Sequence, residues 1–314
     1  MALELEGLDA GLRYDDIRTV FIDNSTFSGH SAVAKRIKKA LDLLYERFPK
    51  TFKLLRNRTM VQAIITFVCH LQEAGLKVRQ GKGLKEFIEY FLNELARQVE
   101  LGQQATDPDY LTFQRTVNAN VRSGARTRQT ILLRKLFRLK PDFFSAMSQS
   151  GEFAAGINAD IGRIGDSIRD LIATSNERYA ADHGKDLFKP TNKSAKAINA
   201  IGKPIKDLAT YKTFIDNLYF IFRESTGQRL ADQIPQSFAD ANDLRTMIQH
   251  DVDHGKAGKA AAKRKKLASV FKKYAGVSSP DAIGPEQFTL VQVNILGALE
   301  TDLHVLAKSL SHST

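Results

Sequence analysis

The residues with the clearest chemical potential lie in one segment near the C-terminus, Asp240 to Gly255. Within it, Arg245 and His250 are separated by four residues. A histidine can transfer protons near neutral pH, and the planar guanidinium group of an arginine can hold a phosphate. The segment therefore combines a group for acid–base chemistry with a group for binding an anion.

A basic tract follows this segment and predicts a surface that binds a polyanion. Lysine and arginine side chains bind nucleic acid because they release the counterions condensed on its phosphates. The residues that we expect to make this contact are Gln249, His254, Lys256, Lys259, Lys263, Arg264, Lys265 and Lys266. The whole chain has 46 Lys and Arg against 35 Asp and Glu, a net charge of +11, which favours nucleic acid as a partner. Solvated basic faces without a partner are the alternative.

A helical projection relates the two candidate catalytic residues. Asp240 suits the N-cap of a helix and Gly255 its C-terminal end. Leu244 and its apolar neighbours then face the core, while Arg245 and His250 flank the opposite, polar side, about 140° apart. The pair can converge only on a ligand lying along that side, or across a cleft between two subunits of a two-fold dimer.

Other interpretations of the same residues remain open. Arg245 can form an ion pair with Asp240 or Glu224, and His250 can be a solvated surface residue. His250 and His254 are four residues apart and share a helix face, as in some zinc sites. The sequence contains no obvious further ligand set and no phosphate-binding glycine loop, so we predict neither a metal nor a cofactor.

Helical periodicity dominates the chain and predicts an all-α fold. Apolar stripes at helical spacing occur at Val33, Ile37, Leu41, Leu44 and Phe48, at Ile64, Ile65, Val68 and Leu71, and at Leu84, Phe87, Ile88, Phe91 and Leu95. Thr19 to Ile22 is the one strand-like run. A boundary near 148–151 divides the chain into a helical domain, 1–150, and an up-and-down helical bundle, 151–314.

Three glycines in the first helix of this bundle, Gly156, Gly162 and Gly165, predict close approach by another backbone. A later helix carries an aromatic stripe from Tyr211 to Phe222. Its spacing favours a buried core over a surface on which bases stack.

The N-terminal domain contains an arginine-rich region from Arg115 to Lys140, which gives this domain a possible role in binding nucleic acid or a partner protein. The single cysteine, Cys69, lies in an apolar run and is expected to be buried. We expect a cytoplasmic protein, because the sequence shows neither a signal peptide nor an apolar run of membrane-spanning length.

The segment from Leu244 to His250, late in a helical bundle, resembles the R-x4-H motif of the HEPN superfamily. The resemblance covers roughly residues 151–314. It implies a homodimer that cleaves RNA without a metal, by attack of the ribose 2′-hydroxyl on the adjacent phosphate. His250 would act as the general acid or base, and Arg245 would stabilise charge on the phosphate. Thr246 departs from the Asn, Asp or His that often follows this arginine in active members.

The resemblance implies an endoribonuclease of a toxin–antitoxin or anti-phage defence system, with RNA favoured over DNA as substrate. An antitoxin or a partner nuclease is a possible binding partner. The alternative is a HEPN-like module of a defence or restriction system that binds RNA or a partner without cutting. A third possibility is a helical scaffold whose basic charge serves no binding function.

Overall fold

The computed structural model describes residues 1–49, 54–55, 57–75, 81–118, 124–141, 143, 151–230, 233–249, 257–284 and 287–310. Within these ranges every regular element is a helix and no strand occurs, so the prediction of an all-α fold is confirmed. For residues 118, 151–156 and 257–260 the description is limited to the backbone. The chain forms two compact units, Met1–Ser150 and Gly151–Thr314.

The helices of the N-terminal unit are α1 (Ala2–Leu5), α2 (Tyr14–Asp23), α3 (Ala32–Arg47), α4 (Arg58–Glu73), α5 (Gly81–Leu101), α6 (Pro108–Asn118) and α7 (Gly124–Leu139), with a 3₁₀ turn at Gly102–Gln104. All five residues of the stripe predicted on α5 are buried. The stripe predicted on α3 is wrong in part. This helix buries Ala40 and Leu43, whereas Leu41 is 45% exposed. The side of α3 that faces the core therefore differs from the side that the predicted stripe occupies.

The strand-like run Thr19 to Ile22 lies inside helix α2, in agreement with the prediction of an all-α fold. A strand needs a neighbouring strand for its backbone hydrogen bonds, and the described chain offers none. A helix satisfies the same groups internally. Of these four residues only Val20 is buried, while Phe21 and Ile22 remain exposed.

The arginine-rich region holds the N-terminal unit together through buried ion pairs. Nε of Arg134 donates to Asp109 Oδ2 at 3.0 Å, and Nζ of Lys135 lies 2.7 Å from Asp107 Oδ2. All four side chains are largely buried. Arg128 is also buried, and its Nη1 donates to a backbone carbonyl on α6. These three cations are therefore not available to nucleic acid.

The helices of the C-terminal unit are α8 (Gly151–His183), α9 (Asn192–Ala200), α10 (Leu208–Tyr219), α11 (Gln236–Gln249), α12 (Ala257–Ala275) and α13 (Gln287–Ser309), with a 3₁₀ turn at Pro280–Ala282. The two longest, α8 and α13, pack against each other. Ile161, Ile164 and Ile168 on α8 are fully buried, as are Leu299 and Leu303 on α13. Helices α10, α11 and α12 complete this bundle and position the candidate site.

The glycines of α8 permit one close contact between backbones. A Cβ atom at Gly165 would lie 2.5 Å from the Cα of Gly202, in the turn after α9. The predicted close approach is confirmed at Gly165. At Gly162 a Cβ atom would have nothing within 4 Å, and Gly156 lies among the residues described only by their backbone.

Helix α10 begins at a strong cap and ends in an irregular turn. The Asp207 carboxylate accepts a hydrogen bond from the Thr210 backbone N–H at 2.7 Å, which satisfies the first turn. At the other end, Phe220–Glu224 form a π-helical turn, in which the Ser225 N–H donates to the Phe220 carbonyl, five residues earlier. The aromatic stripe is mainly core, as predicted, since Tyr211 and Phe222 are buried.

Candidate nucleic-acid site

Asp240 joins two helices of the bundle and is not a helix cap. Helix α11 begins four residues earlier, at Gln236, and follows Pro235, whose carbonyl accepts the first hydrogen bonds of the helix. The Asp240 carboxylate is buried and accepts from Gln236 Nε2 at 2.8 Å. It also accepts from Tyr274 Oη at 2.6 Å and Lys273 Nζ at 2.7 Å on α12. The N-cap prediction is wrong because this carboxylate fixes α11 against α12.

Arg245 is held by two residues of helix α10. Its Nε donates to Asp216 Oδ1 at 3.1 Å, and its guanidinium carbon lies 3.9 Å from the ring centroid of Tyr219. Nε2 of Gln249, one turn further along α11, donates to the same Asp216 oxygen at 2.6 Å. We call these four residues the Arg245 cluster. The ion pair expected for Arg245 exists, but its partner is Asp216 and neither Asp240 nor Glu224.

The Arg245 cluster lies at the surface. The Arg245 side chain is 28% exposed and that of Asp216 is 38% exposed. Neither terminal amino group of Arg245 donates a hydrogen bond to a described residue, since its one hydrogen bond uses Nε. The guanidinium group is thus fixed in orientation while part of it still faces solvent. Such a group can hold a phosphate with little loss of side-chain freedom.

Several of the predicted site residues lie outside the described residues. These are His250, His254 and Lys256, together with the predicted helix end at Gly255 and the side chain of Lys259. The convergence of Arg245 with His250 therefore stays a prediction. Thr246, which departs from the motif, lies among the described residues. Its Oγ1 donates to the Asn242 carbonyl of the preceding turn at 2.9 Å.

The described part of the basic tract forms an exposed surface on α12. We call Lys263, Arg264, Lys265 and Lys266 the basic face, because all four are exposed. Lys266 Nζ lies 2.7 Å from Asp243 Oδ2 on α11. Lys263 and Lys265 form no ion pair with a described residue. Four consecutive exposed cations make a surface suited to a phosphate chain.

Lys266 of the basic face and the Arg245 cluster lie on different sides of helix α11. Asp243, which contacts Lys266, and Arg245 are two residues apart, which places them about 160° apart around the helix. The prediction that the basic tract lines the edge of a dimer cleft concerns two subunits and stays a prediction. An RNA chain would have to bend around α11 to contact both surfaces.

Other chemistry is sparse in the part of the chain that the structure describes. No group of three or more His, Cys, Asp or Glu residues there is placed to hold a metal ion. None of the described helices has the length and apolar character needed to cross a bilayer.

Cys69 is fully buried, as predicted. Its burial and the nearby Glu4 carboxylate raise the pKa of its thiol to about 12, so that it is protonated at neutral pH.

The two residues that position Arg245, Asp216 and Tyr219, are not among the site residues predicted from the sequence. Their spacing of three residues on one helix puts both side chains on the same face, which is a recognisable signal for a shared partner. The spacing of the aromatic stripe from Tyr211 to Phe222 predicts instead that Tyr219 belongs to the core. The resemblance to the HEPN superfamily rests on the segment from Leu244 to His250. Comparisons of the chain with protein-family models, curated proteins and solved structures found no match.

Proposed function

We propose that this protein is a metal-independent endoribonuclease of a toxin–antitoxin or anti-phage defence system, and that it acts as a homodimer. The observation that carries the proposal is the fixed and partly exposed guanidinium group of Arg245, held by Asp216 and Tyr219. In the reaction, the 2′-oxygen of a ribose attacks the adjacent phosphorus and the bond to the 5′-oxygen breaks. His250 either accepts the proton of the 2′-hydroxyl as general base or donates a proton to the departing 5′-oxygen as general acid, and water exchanges the other proton. Arg245 stabilises the charge that develops on the phosphate.

The exposed basic face on α12 supplies affinity for RNA in this proposal. Because Lys266 of this face and Arg245 lie on different sides of α11, a two-fold dimer offers a way to bring the basic face of one subunit towards the Arg245 cluster of the other. The dimer would also place two Arg–His pairs across one cleft. An antitoxin or a partner nuclease would act on the same surfaces.

A second candidate function is a non-catalytic HEPN-like module that binds RNA or a partner protein. The observation that favours it is Asp216, whose carboxylate neutralises part of the Arg245 charge and also accepts a hydrogen bond from Gln249. A neutralised arginine stabilises a phosphate transition state less well. Thr246, at a position where active members of the superfamily often have Asn, Asp or His, also favours this candidate.

Cleavage of RNA by the full-length protein in excess chelator separates the two candidates. We expect Arg245→Ala and His250→Ala each to reduce the cleavage rate by about 100-fold or more, because each removes a group that acts on the transition state. Lys39→Ala is the control, since Lys39 is an exposed cation on α3 and belongs to the N-terminal unit. It should cleave at the wild-type rate.

The outcomes of this experiment are distinct. An active wild-type protein whose Arg245 and His250 variants cleave equally well would show that the site is elsewhere. A wild-type protein that binds RNA without cleaving it would establish the second candidate. If it neither binds nor cleaves RNA, both candidates are wrong and the basic surface serves another purpose.

A further inference from the structure

Two aromatic rings lie between two cations along one surface of the C-terminal unit, in a row that ends at Arg245. Lys193 Nζ on α9 lies 5.2 Å from the ring centroid of Phe220. The rings of Phe220 and Tyr219 are 6.0 Å apart and nearly perpendicular, at 70°. Tyr219 in turn lies under the guanidinium group of Arg245. Four side chains, from α9, α10, the π-helical turn and α11, therefore form one continuous row.

The two rings in this row differ from the other aromatic residues of the same helix. Tyr211 and Phe222 are buried in the core, whereas Tyr219 and Phe220 are both half-buried. Adjacent residues of a regular helix point about 100° apart, so both rings can lie on the solvent side of the helix end. Here the π-helical turn begins at Phe220. Such turns shift the register of a helix and often occur at functional sites.

We propose that Tyr219, Phe220 and Arg245 form a platform on which an unpaired base of RNA stacks. This inference rests on the proposed function, because it assigns the class of RNA that the same site accepts. A guanidinium group has two faces and an edge. One face of Arg245 lies on Tyr219, the other face offers a plane for a base, and the edge remains for phosphate. Lys193 is exposed and supplies a positive charge for the backbone beyond Phe220.

The geometry selects single-stranded RNA over duplex. In a helical duplex both faces of each base are covered by its neighbours, so that only an unpaired base can stack on a protein side chain. Stacking is tolerant of sequence, because every base has a flat face. The platform therefore predicts a preference for unpaired segments and little discrimination between bases.

The natural chain contains no tryptophan, which permits a direct test with the full-length protein. In Tyr219→Trp all tryptophan emission comes from the platform, and in Tyr45→Trp it comes from an exposed position on α3 in the N-terminal unit. We expect an unstructured RNA oligonucleotide to quench the emission of Tyr219→Trp over the concentration range in which fluorescence anisotropy shows binding. A blunt duplex of equal length should quench it far less, and Tyr45→Trp should respond to neither.

A second measurement compares affinities for the unstructured oligonucleotide. We expect Tyr219→Leu to bind at least about tenfold more weakly than Tyr219→Trp, since it removes the ring that holds the guanidinium plane of Arg245 in position for stacking. Tyr45→Leu should bind as the wild-type protein does. If anisotropy shows binding but Tyr219→Trp emission is unchanged, or the duplex quenches it equally, the platform is wrong while the proposed RNA binding stands. If the wild-type protein binds no RNA, the proposed function fails and this inference fails with it.

Discussion

At the scale of single residues, Arg245 combines two contacts that restrict it in different ways. The hydrogen bond from Nε to Asp216 fixes the direction of the side chain, and the Tyr219 ring fixes the plane of its guanidinium group. A half-exposed ion pair contributes at most about 1 kcal/mol to stability, and a cation–π contact about as much. The contacts are therefore too weak to explain the fold and are better understood as positioning Arg245.

The charge of Asp216 should oppose the binding of RNA at Arg245. Asp216→Asn keeps an oxygen that accepts from Nε and removes the negative charge, which at a few ångströms costs a bound phosphate about 1 kcal/mol in water. We expect the variant to bind single-stranded RNA about fivefold more tightly at low ionic strength, measured by fluorescence anisotropy.

Asp170→Asn is the control for this prediction, because Asp170 is an exposed carboxylate on α8 outside the Arg245 cluster. It changes the net charge equally and should leave the affinity almost unchanged. Equal tightening by both variants would attribute the effect to net charge, and no tightening by Asp216→Asn would show that Asp216 does not restrain the site.

The sequence identified Arg245 but not its partner, and the reason is geometric. Asp216 precedes Arg245 by 29 residues and belongs to another helix. The pairing depends on how α10 packs against α11, which the spacing of residues within one helix does not encode. Asp240 shows the same limit, because its residue type fits a cap equally well as a buried acceptor, and only its neighbours decide between them.

At the scale of secondary-structure elements, periodicity predicted the presence of helices better than their buried sides. Helix α5 has one stripe of large apolar residues, and all of it is buried. On α3 the buried residues include the small Ala40, which a search for large apolar residues overlooks. The short run Thr19 to Ile22 has strand-like composition, but no single run of four residues reveals whether a pairing strand exists.

The close contact of α8 with the turn after α9 makes two glycines of one helix respond in opposite ways to the same substitution. Gly165→Ala would place a methyl group 2.5 Å from the Gly202 Cα, where neither backbone can yield without a shift. We expect a loss of about 1 to 3 kcal/mol in the free energy of unfolding. Gly162→Ala adds its methyl group to open space and should gain up to about 1 kcal/mol from helix propensity.

Chemical denaturation of both full-length variants beside the wild-type protein measures this difference. Each variant serves as the control for the other, since both make the same chemical change one turn apart on α8. A Gly165→Ala variant as stable as Gly162→Ala would mean that the two backbones are not in contact.

At the scale of the whole molecule, the total of 46 Lys and Arg overstates the number of cations that a nucleic acid can reach. Arg128, Arg134 and Lys135 are buried in the N-terminal unit, where their charges serve the fold. The exposed run Lys263 to Lys266 is instead concentrated on one helix. The distribution of exposed cations, rather than the total charge of the protein, should therefore decide where RNA binds.

The salt dependence of RNA binding tests this distribution. Replacing both Lys263 and Lys265 by Gln should reduce the slope of log affinity against log salt by about 1.4, because each phosphate contact to a single strand contributes about 0.7. Replacing Lys38 and Lys39 on α3 by Gln removes the same charge from another exposed surface and should leave the slope unchanged. Equal slopes for the two double variants would indicate that binding follows net charge alone.

The buried Cys69 has a practical consequence for the predicted dimer. It is the one cysteine of the chain, it is inaccessible to reagents, and its raised thiol pKa keeps it unreactive at neutral pH. The natural sequence is therefore already a background for site-specific labelling. A cysteine introduced in place of Lys212 would carry a spin label alone, and the distance between two such labels would report how the subunits face each other.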